Sequence, residues 1–155
     1  MQQWLNRGSA ESLCAVRPPE AGDYARMADL AGQLGYACTA EDIRMRLAAM
    51  RNSSQHAVYV AALPEGQIVG WIGLYLFRSV AQDSCAEISG LIVDQQIRSH
   101  EIGKVLLNTA EEWARSHGCD AISVHSNVTR ERAHRFYTRN GYEHIKTQKY
   151  LRKPL

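Results

Sequence analysis

The apolar and polar positions between residues 88 and 118 set the frame for the chain. Residues 88–93, Ile-Ser-Gly-Leu-Ile-Val, form an apolar-rich run, and residues 94–101 are polar. Ile102, Val105, Leu106, Thr109, Ala110, Trp113 and Ala114 then recur three and four apart, which is the period of one helix face. Lys104, Asn108, Glu111, Glu112 and Arg115 fall largely on the opposite side. Gly118 follows the last periodic position, where a left-handed helix end favours glycine. The pattern predicts a strand, a loop and a helix, with the loop feeding the helix N-terminus.

The remaining elements follow from the same reading. Residues 1–12 are polar and aperiodic, as expected of a flexible arm, and residues 13–155 are expected to form one domain. A short strand over 13–17 is stopped by Pro18 and Pro19. Tyr24, Met27, Ala28, Ala31 and Leu34 share one helix face that ends at Gly35. Thr39 with Asp42 three residues later reads as a capping box opening a second helix, which turns Ile43, Leu47 and Met50 inward. Strands are predicted over 57–63 and 67–77, joined at Pro64-Glu65-Gly66 as a hairpin. The second of these is apolar on both faces, as a covered central strand should be. A polar connection over 78–84 leads to a strand over 85–93. Beyond the central helix, 121–126 reads as a strand. Ala133, Phe136, Tyr137 and Asn140 mark a last helix closed by Gly141, and 142–152 holds the final strand. Strands bracketing helices throughout give an α/β class with a mixed sheet.

Composition narrows the setting. A chain of 155 residues with 45% hydrophobic and 22% charged positions suits one soluble globular domain. A net charge of +2 gives no broad electrostatic case for nucleic acid or membrane. Cys14, Cys38, Cys85 and Cys119 are scattered without a C-x-x-C pair, so neither zinc nor a disulfide framework is indicated. No apolar run approaches the ~20 residues of a membrane span, and no signal peptide is evident. A cytoplasmic protein without a metal is the expectation.

The loop before the central helix is where chemistry first shows. The first N–H groups of a helix lack intrahelical partners, and the helix dipole adds partial positive charge there. The two effects favour a phosphate. Gly103 permits close approach, and Arg98 and Lys104 add charge. An ordinary strand-to-helix turn has the same outline.

Arg98-Ser99-His100-Glu101-Ile102-Gly103 resembles the Arg/Gln-x-x-Gly-x-Gly/Ala signature of the GNAT superfamily of acetyl-CoA-dependent N-acetyltransferases. Arg98 and Gly103 match, whereas Glu101 stands where the first glycine is usual. The closing segment, Ser126-Asn127 through Ala133, Phe136-Tyr137 and Gly141-Tyr142, is similar to the family's second signature. The order of elements over residues 13–152 also resembles the GNAT fold: a mostly antiparallel sheet splayed between strands four and five, with helices on both faces.

That resemblance implies acetyl-CoA as cosubstrate and a primary amine, on a small molecule or peptide, as acceptor. It implies that pantetheine lies between the splayed strands against the main chain of Leu91, Ile92 and Val93. Arg98, Ser99, Glu101, Ile102, Gly103 and Lys104 would surround the diphosphate, with Ala133 and Phe136 on the coenzyme side. Strand addition uses backbone rather than particular side chains, so an aliphatic run suffices. Tyr137 is the leading candidate for general acid, since a phenol keeps its proton at neutral pH; the alternative is a packed helix aromatic beside Phe136. Asn127 either binds pantetheine or a water, or caps the last helix. Glu87 is the candidate base, placed by strand alternation on one face with Ser89 and Leu91; the alternative is a rim carboxylate. His125 is the competing base. Trp71 and Tyr75 either line the acceptor pocket or pack in the core.

The expected protein is an N-acetyltransferase working by direct attack of an amine, with a homodimer through the late strands left open. A non-catalytic acyl-CoA sensor on the same fold is the alternative, favoured by Glu101. A dinucleotide-binding α/β protein is disfavoured because no G-x-G-x-x-G follows a strand.

Overall fold

The computed structural model describes residues 14–83, 85–97 and 100–155, with His100 described by its backbone alone. The chain divides into two compact units, residues 1–124 and residues 125–155.

The first unit is built on a five-stranded sheet in the order β1 (Ala15–Arg17), β2 (His56–Ala62), β3 (Ile68–Phe77), β4 (Cys85–Val93) and β5 (Ile122–Val124). The first four strands are antiparallel, and β4 pairs with β5 in parallel. The expected mixed sheet is therefore present. Two helices, α1 (Tyr24–Leu34) and α2 (Ala40–Met50), precede β2, and α3 (His100–Ser116) joins β4 to β5.

Local sequence explains these bounds. Gly35 ends α1 at φ 99°, a left-handed conformation that a Cβ would strain. At the start of α2 the Asp42 N–H donates to Thr39 Oγ1 at 3.1 Å, and the Thr39 N–H donates to Asp42 Oδ2 at 2.8 Å. That is a reciprocal box with aspartate in place of the more usual glutamate. The β2–β3 hairpin turns at Gly66, φ 92°. β3 carries Ile68, Val69, Ile72, Leu74 and Leu76 buried, since helices cover both of its faces.

One face of the sheet packs on α1 and α2 through Met27, Ala28, Leu30, Ile43, Val60, Ile68 and Ile92. The Trp71 indole donates to the Met27 carbonyl at 3.2 Å, so Trp71 is a packing residue of this face. On the other face, Ile102, Val105, Leu106, Leu107, Ala110 and Ala114 of α3 are buried, in agreement with the helical period. The row Leu76, Ala86 and Ile122 meets Ala114 there.

Two expectations over the late chain change. The strand expected over 121–126 is only three residues long. The final strand expected over 142–152 is absent, since these residues form no strand. The apolar positions there do not alternate: Tyr142 and Tyr150 fall on one face of an extended chain, Ile145 and Leu151 on the other. No single face could then be buried, and Ile145, Tyr150 and Leu151 are exposed.

The second unit contains α4 (Glu131–Arg139). The Asn140 side chain donates to the Phe136 carbonyl at 2.8 Å, and Gly141 at φ 88° closes the helix. Among the described residues, no helix is long and apolar enough to cross a membrane.

Candidate active site

The site begins with how β4 is paired. On one side it runs along β3 for its whole length, from Cys85 opposite Phe77 to Val93 opposite Gly70. On the other side β5 reaches only Ala86, Ile88 and, between them, Glu87. Ser89 to Val93 therefore present a strand edge that β5 does not cover. The predicted run Leu91, Ile92 and Val93 lies on this edge.

A bulge modifies the expected geometry. Gly73 pairs with Gly90 and Leu74 with Ile88, so Ser89 is the extra residue on β4. A Cβ on residue 73 would lie 2.6 Å from Ser89 Oγ, so the bulged serine occupies the space that only glycine leaves free. The bulge reverses the alternation beyond it. Glu87, opposite Tyr75, shares its face with Gly90 and with Ile92, which lies opposite Trp71. Leu91, opposite Ile72, joins Ile88 on the α3 face. The expectation that Leu91 and Glu87 share a face is thus corrected. Glycines in both strands, at 73 and 90, were the sequence signal for a bulge.

Glu87 is 8% exposed and is the middle residue of the stretch paired with β5, on the face that packs on α1 and α2. It is directly opposite Tyr75 on β3 and Ser123 on β5. Burial, followed by the hydrogen bond and charge of Glu87, raises the Tyr75 phenol above its ordinary pKa. His56, opposite Tyr75 on β2, stacks on its ring with centroids 6.4 Å apart.

The turn leaving β4 is anchored by a residue the sequence reading passed over. Asp94 is 2% exposed. It pairs with Arg26 and accepts from the Gln33 amide at 3.3 Å and the Gln96 N–H at 3.0 Å. The Gln95 N–H donates to Gln33 Oε1 at 2.9 Å. The Gln96 hydrogen bond first, then Gln33 and Arg26, hold the Asp94 carboxyl below its usual range. Two side chains of α1 thus fix where the loop departs towards α3. An aspartate directly after an apolar strand, able to bond the backbone two residues on, was the available signal.

At the start of α3, Glu101 and Lys104 are exposed, whereas Ile102 and Gly103 are buried. Ile102 is 4% exposed, so its side chain serves the core. Arg98 and Ser99 lie outside the described residues.

Asn127, Ala133, Phe136 and Tyr137 belong to the second unit. Asn127 Oδ1 accepts from the Thr129 N–H at 3.0 Å and hydroxyl at 2.8 Å, so this carbonyl shapes the turn ahead of α4. Ala133 is half-buried. Tyr137 meets Phe136 edge-on and Tyr142 at a tilt, both with centroids 5.3 Å apart. Burial pushes its phenol up to about 12, with Arg130 opposing. His125 is exposed one residue past β5. Among the described residues no group of three metal-ligating side chains converges.

The described residues thus combine a mixed sheet whose β4 edge β5 leaves unpaired from Ser89 to Val93, a buried carboxylate beside it and a helix starting just beyond. The Acetyltransferase (GNAT) family profile matches residues 26–142, and the chain belongs to that family. The aminoalkylphosphonate N-acetyltransferase of Salmonella typhimurium is 40% identical over 86 residues. That match spans 55% of this chain and 56% of the relative, so it covers about half of each. The aminoglycoside N(6')-acetyltransferase type 1 of Klebsiella aerogenes is 25% identical over 94% of this chain and 99% of its own. The crystal structure of an aminoglycoside antibiotic 6'-N-acetyltransferase of Acinetobacter haemolyticus shares the fold with a TM-score of 0.77. It is 14% identical and covers 91% of this chain and 99% of its own.

Proposed function

We propose that this chain transfers the acetyl group of acetyl-CoA to a primary amine of a small molecule, by direct attack and without a metal. The observation that carries the reading is the Ser89–Val93 edge of β4, which β5 leaves uncovered beside the buried Glu87. An edge of this kind offers main-chain donors and acceptors to an extended amide-bearing ligand such as pantetheine. The names of the two curated relatives, an aminoalkylphosphonate and an aminoglycoside N-acetyltransferase, support an amine acceptor.

When bound, acetyl-CoA supplies the acetyl group as an activated thioester. The chain's residues supply the rest. The main chain of Leu91, Ile92 and Val93 orients the donor, and an N–H of this run faces the carbonyl oxygen, where negative charge develops. The α3 N-terminus, with Arg98, Ser99, Gly103 and Lys104, receives the diphosphate. Glu101 is exposed, which lets the carboxylate turn to solvent and away from that charge.

An amine attacks only when neutral, so its ammonium proton must go to a base; Glu87 takes it, directly or through a water. The new bond joins amine nitrogen to acetyl carbon, the carbon–sulfur bond breaks, and the second amine proton passes through solvent to the released thiolate, giving the amide and the free thiol of CoA. Tyr137 is assigned to the departing sulfur. A thiol titrates near about 8.5, so complete transfer from a phenol raised to about 12 is uphill. Its role is therefore hydrogen-bond donation to the thiolate.

A cytoplasmic setting, where acetyl-CoA is available, fits this chemistry. The test is an amine-panel assay with purified protein, acetyl-CoA and thiol detection. It should include aminoalkylphosphonates, aminoglycosides, polyamines, amino acids and peptides. Acetyl-dependent thiol release with at least one small amine is expected. Coenzyme binding with no release for any amine would instead mark an acyl-CoA sensor.

A further inference from the structure

The inference concerns the row of side chains that crosses the sheet at Glu87, and it rests on the reading of Glu87 as the carboxylate facing the amine. We propose that Tyr75 is the positioning residue for Glu87: its hydroxyl donates to the Glu87 carboxylate and holds it in one orientation towards the incoming ammonium.

Four strands contribute to the row. His56 on β2 is opposite Tyr75 on β3, Tyr75 is opposite Glu87 on β4, and Glu87 is opposite Ser123 on β5. Directly opposed residues project from the same face and hold their Cβ atoms close, so adjacent members interact. The face is the one on which α1 and α2 pack, because Trp71 lies four residues from Tyr75 on β3, hence on the same face, and belongs to that core. Tyr75 is half-buried and its phenol is raised by burial and by Glu87. It therefore keeps its proton across the working range and remains a donor. The ring is held on its far side by His56, whose Nδ1 lies 2.9 Å from Ser53 Oγ.

A carboxylate on a flexible side chain samples several rotamers. A neutral donor fixed on the neighbouring strand selects one of them without neutralising the charge that attracts an ammonium. Lysine or arginine in the place of Tyr75 would form an ion pair with Glu87 and compete with the substrate for it. A tyrosine pinned by a stacked ring holds the carboxylate and leaves it anionic. Packing alone does not require the hydroxyl, and this separates the two roles.

The experiment compares Tyr75→Phe, Glu87→Gln and the double variant on the best amine from the panel. Acetyl-CoA affinity is measured separately by calorimetry, and melting curves check folding. Tyr75→Phe keeps the ring and the His56 contact. We expect kcat/KM for the amine to fall about 10-fold, the size of a lost hydrogen bond to a charged group. Acetyl-CoA affinity should stay within about twofold, since a residue that only supports the fold would disturb both sites. In the Glu87→Gln background the same change should cost less than about twofold, because coupled residues are non-additive. A full 10-fold loss in that background would overturn the inference, as would parental kcat/KM in Tyr75→Phe when Glu87→Gln is impaired. If Glu87→Gln itself retains parental kcat/KM, the underlying assignment of Glu87 fails, and the inference fails with it by a separate route.

Discussion

Tyr137 and Glu87 are singled out in the sequence by resemblance and strand position, but their surroundings are set by register and packing that the sequence does not display. Alternation grouped Glu87 with Leu91, which lies on the other face, because one bulged residue, Ser89, reverses every position after it. Tyr75 was marked only as lining or core, since its value lies in being opposite Glu87, a relation set by register. For Tyr137, replacement by Phe removes the hydroxyl and keeps the ring contacts with Phe136 and Tyr142. A hydrogen bond to a charged sulfur should be worth about 1.5–3 kcal/mol, so the single-turnover rate should fall about 10- to 100-fold. Acetyl-CoA affinity should be nearly unchanged, because the interaction arises only as the thiolate forms. An unaltered single-turnover rate would reduce Tyr137 to packing. A companion change tests the loop. Arg98→Ala should weaken acetyl-CoA binding more than it lowers turnover at saturation, as its assigned partner is remote from the reacting carbon. Glu101→Gly should leave affinity within about twofold if the exposed carboxylate turns to solvent; marked tightening would show that it opposes the diphosphate.

The elements were read with success where a strong period or a cap existed. The capping box at Thr39, the apolar stripe of α3 and the bounds of β4 all agree with the structure. The last strand failed because residues 142–152 lack one consistent apolar face, so β-prone residues alone were misleading. The anchoring of the β4 exit by Asp94 was unread, because its partners Arg26 and Gln33 sit more than sixty residues earlier. Asp94 is buried but its partner Arg26 keeps 30% of its side chain exposed, so the main loss is the hydrogen bonds from Gln33 and Gln96, and Asp94→Ala should destabilise by about 1–3 kcal/mol in denaturant titration. The pH dependence has a definite sign. The folded-state pKa of Asp94 is lowered, so its contribution is complete above the unfolded value of about 3.9 and is lost as pH falls through the folded value. Asp94→Asn should therefore flatten the decline in stability below about pH 4. An equally steep acid limb in Asp94→Asn would mean that other carboxylates, such as Asp23 paired with Arg17, dominate it.

At the scale of the whole molecule, family membership was legible because two signatures stand in the right order, and because a mixed sheet with a crossover helix is implied by apolar runs alone. The acceptor was not legible, since substrate choice falls to side chains brought together by register and helix packing and no local motif records it. Ligand-linked stability tests the coenzyme assignment independently of the acceptor. A ligand that binds only the folded state at about 100 times its Kd stabilises by about 2.7 kcal/mol. For a chain near 150 residues, at about 2–4 °C per kcal/mol, that raises Tm by about 5–10 °C. Acetyl-CoA should produce such a shift. CoA should come close to it, because the acetyl group is a small fraction of the contact and most of the binding is assigned to the β4 edge and the α3 N-terminus. Acetyl-pantetheine, which lacks the diphosphate, should stabilise far less at equal concentration, and this difference should shrink in Arg98→Ala. NAD also carries a diphosphate but has no pantetheine to lie along Ser89–Val93, so it should give little shift. Stabilisation by NAD without stabilisation by CoA would sink the assignment. Equal shifts from acetyl-CoA and acetyl-pantetheine would keep the β4 edge as the binding element and remove the α3 N-terminus from it.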